Sequence, residues 1–304
     1  MERRNNMGWR SIIITQHAKL TYTSNMMKVQ TDDGINEIPL DDIDTLLIST
    51  TQAVLSSFLL NQLALRKINV VFTDNRQMPS SRLCPLQGSS NKVIERQINW
   101  DDKRKAILWT KIIYSKIQNQ ISLLKIKRLE YQDLQEELSK LEVNDFSNRE
   151  AMVARKYFQR LFGDKFKRRE SAVINDALNY GYAIILSMVS KEIVTHGYLN
   201  ELGIHHRSET NNSNLACDFM ESFRPFVDYW VSDHKFHELT PDIKYGLMDL
   251  VNIEVQYDSK IMLLKNIIRE QIQDYLKFLN GQKVKNKRVE FVSEVSNNAL
   301  NGHV

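Results

Sequence analysis

Short β-branched and apolar runs, separated by polar breaks, open the chain. They are SIIIT at 11–15, KLTYT at 19–23, MMKVQ at 26–30, NEIPL at 36–40 and DTLLIST at 44–50, with DDG at 32–34 as a turn signal. The pattern then changes. Leu59, Leu60, Leu63 and Ala64 share one side of a helix predicted over Ser56 to Lys67, and NVVFT at 69–73 reads as a buried strand. A linker is expected at 86–99. Beyond it Ile107, Leu108, Ile112, Ile117, Ile121 and Leu124 recur at three- and four-residue spacings, which predicts a helix over Asp101 to Arg128. A second helix is predicted over Tyr131 to Leu141. No proline lies between Pro85 and Pro225, and INDALNYGYAIILSMVSKEIVTHG is apolar nearly all round, so a buried central helix ending at Gly197 is expected. The fold class is therefore α+β: a small β-rich N-terminal domain over 7–85, then an all-α domain over 100–280. A basic, flexible tail is expected over 281–304.

Two positions break the amphipathic pattern. In SNREAMVARKYFQRLF, Ser147 and Glu150 have capping-box spacing. Yet the apolar stripe of that helix is Val153, Ala154, Tyr157, Phe158 and Leu161, and Glu150 projects into it. A carboxylate there needs a cation or a metal ion as partner. In GIHHRSETNNSNLACDFMESFRPFVD, Leu215, Phe219, Phe223, Phe226, Val227 and Trp230 share one helix face, while Asp218, Glu221 and Asp228 share another. Acids one turn apart suit a solvated stripe as well as a site for a hard divalent ion, to which an imidazole adds manganese. Spacing does not choose between them.

Composition narrows the classes. With 42% hydrophobic and 26% charged residues, 304 residues suffice for a two-domain globular protein. No run is long enough to span a membrane, and Cys84 and Cys217 stand far apart with no secretory signal, so a cytoplasmic protein with reduced thiols is expected. The net charge of +4 is modest, but eight Lys/Arg against three acids between Arg149 and Glu170 begin a phosphate-binding footprint.

The ordered set MGWRSIIIT, NREAMVARKYFQRLFG, INDALNYGYAIIL and GIHH…NLACDFMESFRP resembles the integrase of CRISPR adaptation, the spacer-acquisition subunit universal to CRISPR systems. The version accompanying RNA-guided type II effectors is most like it. The likeness runs from about Met7 to about residue 280. It implies a homodimer formed through the N-terminal domain and a metal site for Mg2+ or Mn2+ made by Glu150, His206 and Glu221. Asp218 takes an accessory acidic position, and His205 is a neighbour, since the family's metal histidine is fourth in a G-x-x-H run. Where the family often has MEPFRP, this chain has Ser222. The resemblance further implies that a DNA fragment's 3′-hydroxyl attacks phosphodiesters at a repeat array, and that a small dimeric adaptation partner bridges two integrase dimers. Arg155, Lys156, Arg160, Lys165, Lys167, Arg168 and Arg169 would hold double-stranded DNA. Two other readings stay open: a stand-alone metal-dependent nuclease acting on branched DNA, and a DNA-binding scaffold without chemistry.

Overall fold

The computed structural model describes residues 10–85, 90–168, 170, 172–285, 287 and 289–291. The chain divides into two compact units, Met1–Gly88 and Ser89–Val304.

In the first unit the expected runs form strands β1 (Arg10–Ile14), β2 (Lys19–Thr23), β3 (Met26–Thr31), β4 (Gly34–Pro39) and β5 (Ile43–Ile48). Strand β6 (Val54–Leu55) leads into helix α1 (Ser57–Leu65), which is followed by β7 (Asn69–Thr73) and β8 (Pro79–Arg82). One sheet has the order β1-β5-β7-β8 and the other β4-β3-β2-β6. Strands β1, β5 and β7 run parallel, which explains why β5 is buried at every position instead of alternating. The Ser56 hydroxyl accepts from the Leu59 amide and starts α1. Leu59 and Leu63 then pack with Leu20, Met27, Leu46 and Val70 in one core.

The second unit is mainly helical. Its elements are α2 (Asn91–Ile98), α3 (Asp102–Ile126), α4 (Gln132–Ser139), α5 (Arg149–Phe162), α6 (Val173–Thr195), α7 (Asn214–Met220), α8 (Arg224–Asp233) and α9 (Pro241–Asp249). Strands β9 (Glu254–Tyr257) and β10 (Lys260–Leu263), helix α10 (Leu264–Leu279) and strand β11 (Val289–Glu290) complete it. Helix α6 is the central helix, with Ala177, Leu178, Tyr180 and Ile185 fully buried. Gly197, at φ +82°, turns the chain out of its C-terminus.

Three expectations need correction. The C-terminal unit is not all-α, because β10-β9-β11 form a small antiparallel sheet. The segment expected as a flexible tail includes β11, which pairs with β9 through Val289 and Glu290; residues 292–304 lie outside the described residues. The segment 86–99, expected as a linker, contains helix α2, capped by the Ser90 hydroxyl and anchored by Gln97, whose side chain bonds the backbone of Leu199 in both directions. No helix among the described residues is long and apolar enough to cross a membrane, and both cysteines are free thiols.

Candidate metal centre

The turn preceding α5 aims Glu150. Asn144, Asp145 and Asn148 all have positive φ, and the Asp145 carboxylate accepts from the amides of Arg149 (2.7 Å) and Glu150 (3.1 Å). Asp145 therefore caps α5. The capping box read from Ser147 and Glu150 does not form: Ser147 accepts from Arg149 Nε, and the Glu150 side chain faces the other way. Val153 and Tyr157 of the stripe are fully buried, and Glu150 is half-buried beside them.

Glu150 meets a cation, Lys116 of α3. The Lys116 ammonium stands 2.5 Å from Glu150 Oε1 and 2.6 Å from Glu221 Oε2. Both Lys116 and Glu221 are buried. Burial opposes the lysine charge, but the Glu221 and Glu150 carboxylates outweigh it, and the Lys116 pKa is raised. Burial likewise opposes the Glu221 charge, and Arg224 and Lys116 overcome it, so the Glu221 pKa is lowered. Arg224 Nε lies 2.8 Å from the other Glu221 oxygen. Removing one member of such a buried cluster costs about 3–5 kcal/mol, because the others are left uncompensated.

Glu221 is placed by a break in what the pattern suggests is one helix. Helix α7 ends at Met220, Glu221–Phe223 form a 3-10 turn, and Pro225 opens α8. The Asn119 side chain of α3 donates to the Ser222 carbonyl and ties this turn to the helix carrying Lys116. Here the acids are not a solvated stripe. Asp218, Glu221 and Asp228 are all at or below 5% exposure, as are Phe219, Phe223 and Phe226 on the opposite face.

Asp218 organises the histidine loop. Its carboxylate accepts from the amides of Ile204 (2.7 Å), His205 (3.0 Å) and His206 (3.0 Å), and it lies 2.5 Å from His206 Nδ1. A Cβ at position 203 would meet the His206 carbonyl at 2.4 Å and Asp218 at 2.8 Å, so only glycine lets the loop close this tightly. The hydrogen bond to Asp218 raises the His206 pKa and fixes the ring, with Nδ1–H donating and Nε2 directed away from that bond. His205 differs. Its ring stacks on Trp109 at 4.0 Å and 6° between planes, and burial lowers its pKa.

Beside Lys116 and Glu150 opens a cavity of about 550 Å³, with Arg155, Lys167, Arg168 and Arg224 in its wall. Arg168 and Arg224 both lie over the Tyr182 ring, at 5.3 and 4.6 Å. The basic residues read as one footprint thus divide. Lys156 and Arg160 are engaged by α4: Arg160 grips Asp133 at 2.6 and 2.9 Å, and Lys156 lies 3.1 Å from Asp133 and 3.6 Å from Glu137. Lys165 is exposed, Lys167 pairs with Glu170 at 2.7 Å, and Arg169 lies outside the described residues.

Sequence reading missed Lys116, Asn119 and Gln120, all buried on α3. The signal was available, since Lys116 and Gln120 continue the line of Ile112 at four-residue steps along the apolar face. Ile107, part of the apolar spacing that predicts α3, is 41% exposed. As they stand, no three His, Cys, Asp or Glu side chains among the described residues are grouped closely enough to hold a metal ion. The donor chemistry nevertheless fits one: two carboxylates already converge on a single positive charge, next to an imidazole whose Nδ1 is tied back.

The chain is 32% identical over 269 residues to a CRISPR-associated endonuclease Cas1 of Neisseria meningitidis serogroup C, covering 84% of this chain and 86% of that one. Its fold matches a casposase bound to its integration product, with a TM-score of 0.75 and 20% identity over 91% of this chain and 92% of that one. It also matches a chain of a Cas6-RT-Cas1–Cas2 complex, with a TM-score of 0.70 and 21% identity over 91% of this chain and 35% of that one. A family model described as CRISPR associated protein Cas1 matches residues 12–234, and the chain belongs to that family.

Proposed function

We propose that this protein is the integrase of CRISPR adaptation, joining the 3′-hydroxyl ends of short DNA fragments to a repeat array by divalent-ion-dependent transesterification. The observation that carries the reading is the convergence of Glu150 and Glu221, from separate helices, on one cationic point. Those two carboxylates and His206 Nε2 would hold Mg2+ or Mn2+. The bound ion would supply charge stabilisation at the scissile phosphate and its leaving oxygen. Asp218 keeps the His206 ring in one tautomer and orientation. Arg155, Lys167 and Arg168 in the cavity wall supply phosphate contacts that position DNA without reading its sequence. In the reaction the attacking 3′-hydroxyl loses its proton and its oxygen bonds to phosphorus as the P–O bond to the displaced 3′-oxygen breaks, and that oxygen takes up a proton to become the new 3′-hydroxyl. The number of phosphodiester bonds is unchanged. Family membership supports a DNA substrate, and the Cas2-containing complex among the fold matches supports a small dimeric partner.

Glu150→Gln tests the reading. The variant keeps the shape of the side chain and removes its charge. It is expected to fold and bind DNA but to join ends at least about a hundredfold more slowly in Mg2+ or Mn2+. A gel assay with supercoiled target, read for joined and merely nicked products, and a thermal melt give the answer. Near-native joining by a well-folded variant removes the proposed centre.

A further inference from the structure

Lys116 is a buried lysine in the place where the proposed centre needs an ion, and the inference drawn from it rests on the metal reading above. Its ammonium and a divalent ion cannot share the space between Glu150 Oε1 and Glu221 Oε2, which lie 2.5 and 2.6 Å from the nitrogen. Like charges at such a separation repel strongly where water is excluded. Either the lysine excludes the ion or it has somewhere else to go.

A second position exists on the same helix. Gln120, one turn further along α3 and 1% exposed, has neither its Oε1 nor its Nε2 paired among the described residues. A buried amide with both ends unsatisfied is rare and costly. Lys116 and Gln120 line the same 550 Å³ cavity, and so does the buried carboxylate of Asp228. Among the described residues that carboxylate is bonded only to neutral donors, the hydroxyls of Tyr157 and Tyr182. Among the described residues, the cavity therefore offers an ammonium an amide oxygen that lacks a donor and a carboxylate hydrogen-bonded by neutral hydroxyls. The lysine's flexible stem and three donors suit a move between two acceptor sets.

We propose that Lys116 is a displaceable internal cation. It holds Glu150 and Glu221 together until a divalent ion takes them, and then moves into the cavity toward Gln120 Oε1 and Asp228. Ion binding is then an exchange of one cation for another. The apparent affinity is the intrinsic affinity multiplied by the fraction of molecules in which the lysine has left the carboxylates. The same lysine keeps two buried carboxylates compensated before the ion arrives.

Titration of Mn2+ without DNA, read by the electron paramagnetic resonance of the free ion, separates the cases. Wild type should bind Mn2+ and Glu150→Gln should not. Lys116→Met, which fills the space with an unbranched apolar chain, should bind at least about tenfold more tightly. It should also melt lower without the ion and gain more from it. A crystal structure of the wild-type protein grown with Mn2+ reads the move directly and needs no variant to fold. The ammonium should lie within hydrogen-bond distance of Gln120 Oε1. Equal or weaker Mn2+ binding by folded Lys116→Met overturns the displacement and leaves the metal reading standing. So does a loaded structure in which Lys116 still bridges the two glutamates. Failure of the wild type to bind Mn2+ at all removes both.

Discussion

His205 and His206 share a loop and a residue type, yet their rings meet different surroundings. His206 is tied through Nδ1 to a fully buried carboxylate, and the Glu221 charge further favours its protonated form. His205 lies flat on Trp109, and the partial desolvation of its ring lowers its pKa. Only the first has an orienting acid behind it, which is how a metal-binding imidazole is normally supported. His206→Ala should therefore lose integration by about a hundredfold or more, and His205→Ala should retain a substantial fraction. The same strand-transfer assay measures both, and the reverse order would move the ligand to His205. The G-x-x-H spacing had already indicated His206, but through resemblance alone. The physical reason, Asp218 gathering three consecutive amides and the ring, depends on a loop closing back over twelve or more residues, and no local pattern encodes that. Glu150 was legible because a charge on an apolar stripe is a local anomaly. Lys116 was an anomaly of the same kind, hidden in a long helix whose many isoleucines drew the reading.

Helices α5, α6 and α8 meet at one buried acid. Tyr157 of α5 and Tyr182 of α6 both donate to Asp228 of α8, and burial pushes its carboxyl up to about 6 against the pull of those hydrogen bonds. The folded-state pKa lies above the unfolded value. This group's stabilising contribution is thus present in full below pH about 4 and is lost as pH rises through about 6. A rise from the ordinary 3.8 to about 6 corresponds to roughly 3 kcal/mol. Asp228→Asn should consequently melt several degrees above wild type at pH 7.5, with the gap closing toward pH 4. Thermal melts across that range check the sign, and a lower melting point for the variant at pH 7.5 would show that the charged hydrogen bonds dominate. The element scale also shows where pattern reading fails. The pattern from Leu215 to Trp230 predicts one helix with apolar residues on one face and Asp218, Glu221 and Asp228 on another. The loop carrying His205 and His206 covers Asp218, Lys116 of α3 covers Glu221, and Tyr157 and Tyr182 cover Asp228, so both faces are interior. The two-residue strands β6 and β11 are too short for any period to register, and β8, polar at Ser80 and Ser81, is a strand only because β7 supplies a ladder.

At the scale of the whole molecule, the first unit carries apolar surface that its own core does not use. Ile35 on the edge strand β4, Val54 on the opposite edge strand β6, and Phe58 and Leu65 on α1 are each more than half exposed. Open sheet edges with apolar side chains invite pairing with another chain, and a two-fold homodimer is the commonest way to cover them. The β-rich character that makes this argument was legible from the first fifty residues, since alternating and β-branched runs separated by turns survive any tertiary context. Which edge is covered was not legible, because that depends on the order β4-β3-β2-β6 and on the parallel pairing of β2 with β6, both long-range. We expect the full chain to be a dimer at micromolar concentration by light scattering. Val54→Lys combined with Phe58→Glu should give a folded monomer if the β6 and α1 side is the interface, and Ile35→Lys should do so if it is the β4 edge. In either case the proposed metal centre lies wholly in the second unit, so Mn2+ binding should survive the loss of the dimer. A wild-type protein that scatters as a monomer at those concentrations ends the argument. A dimer that resists all three substitutions would take its interface out of these edges.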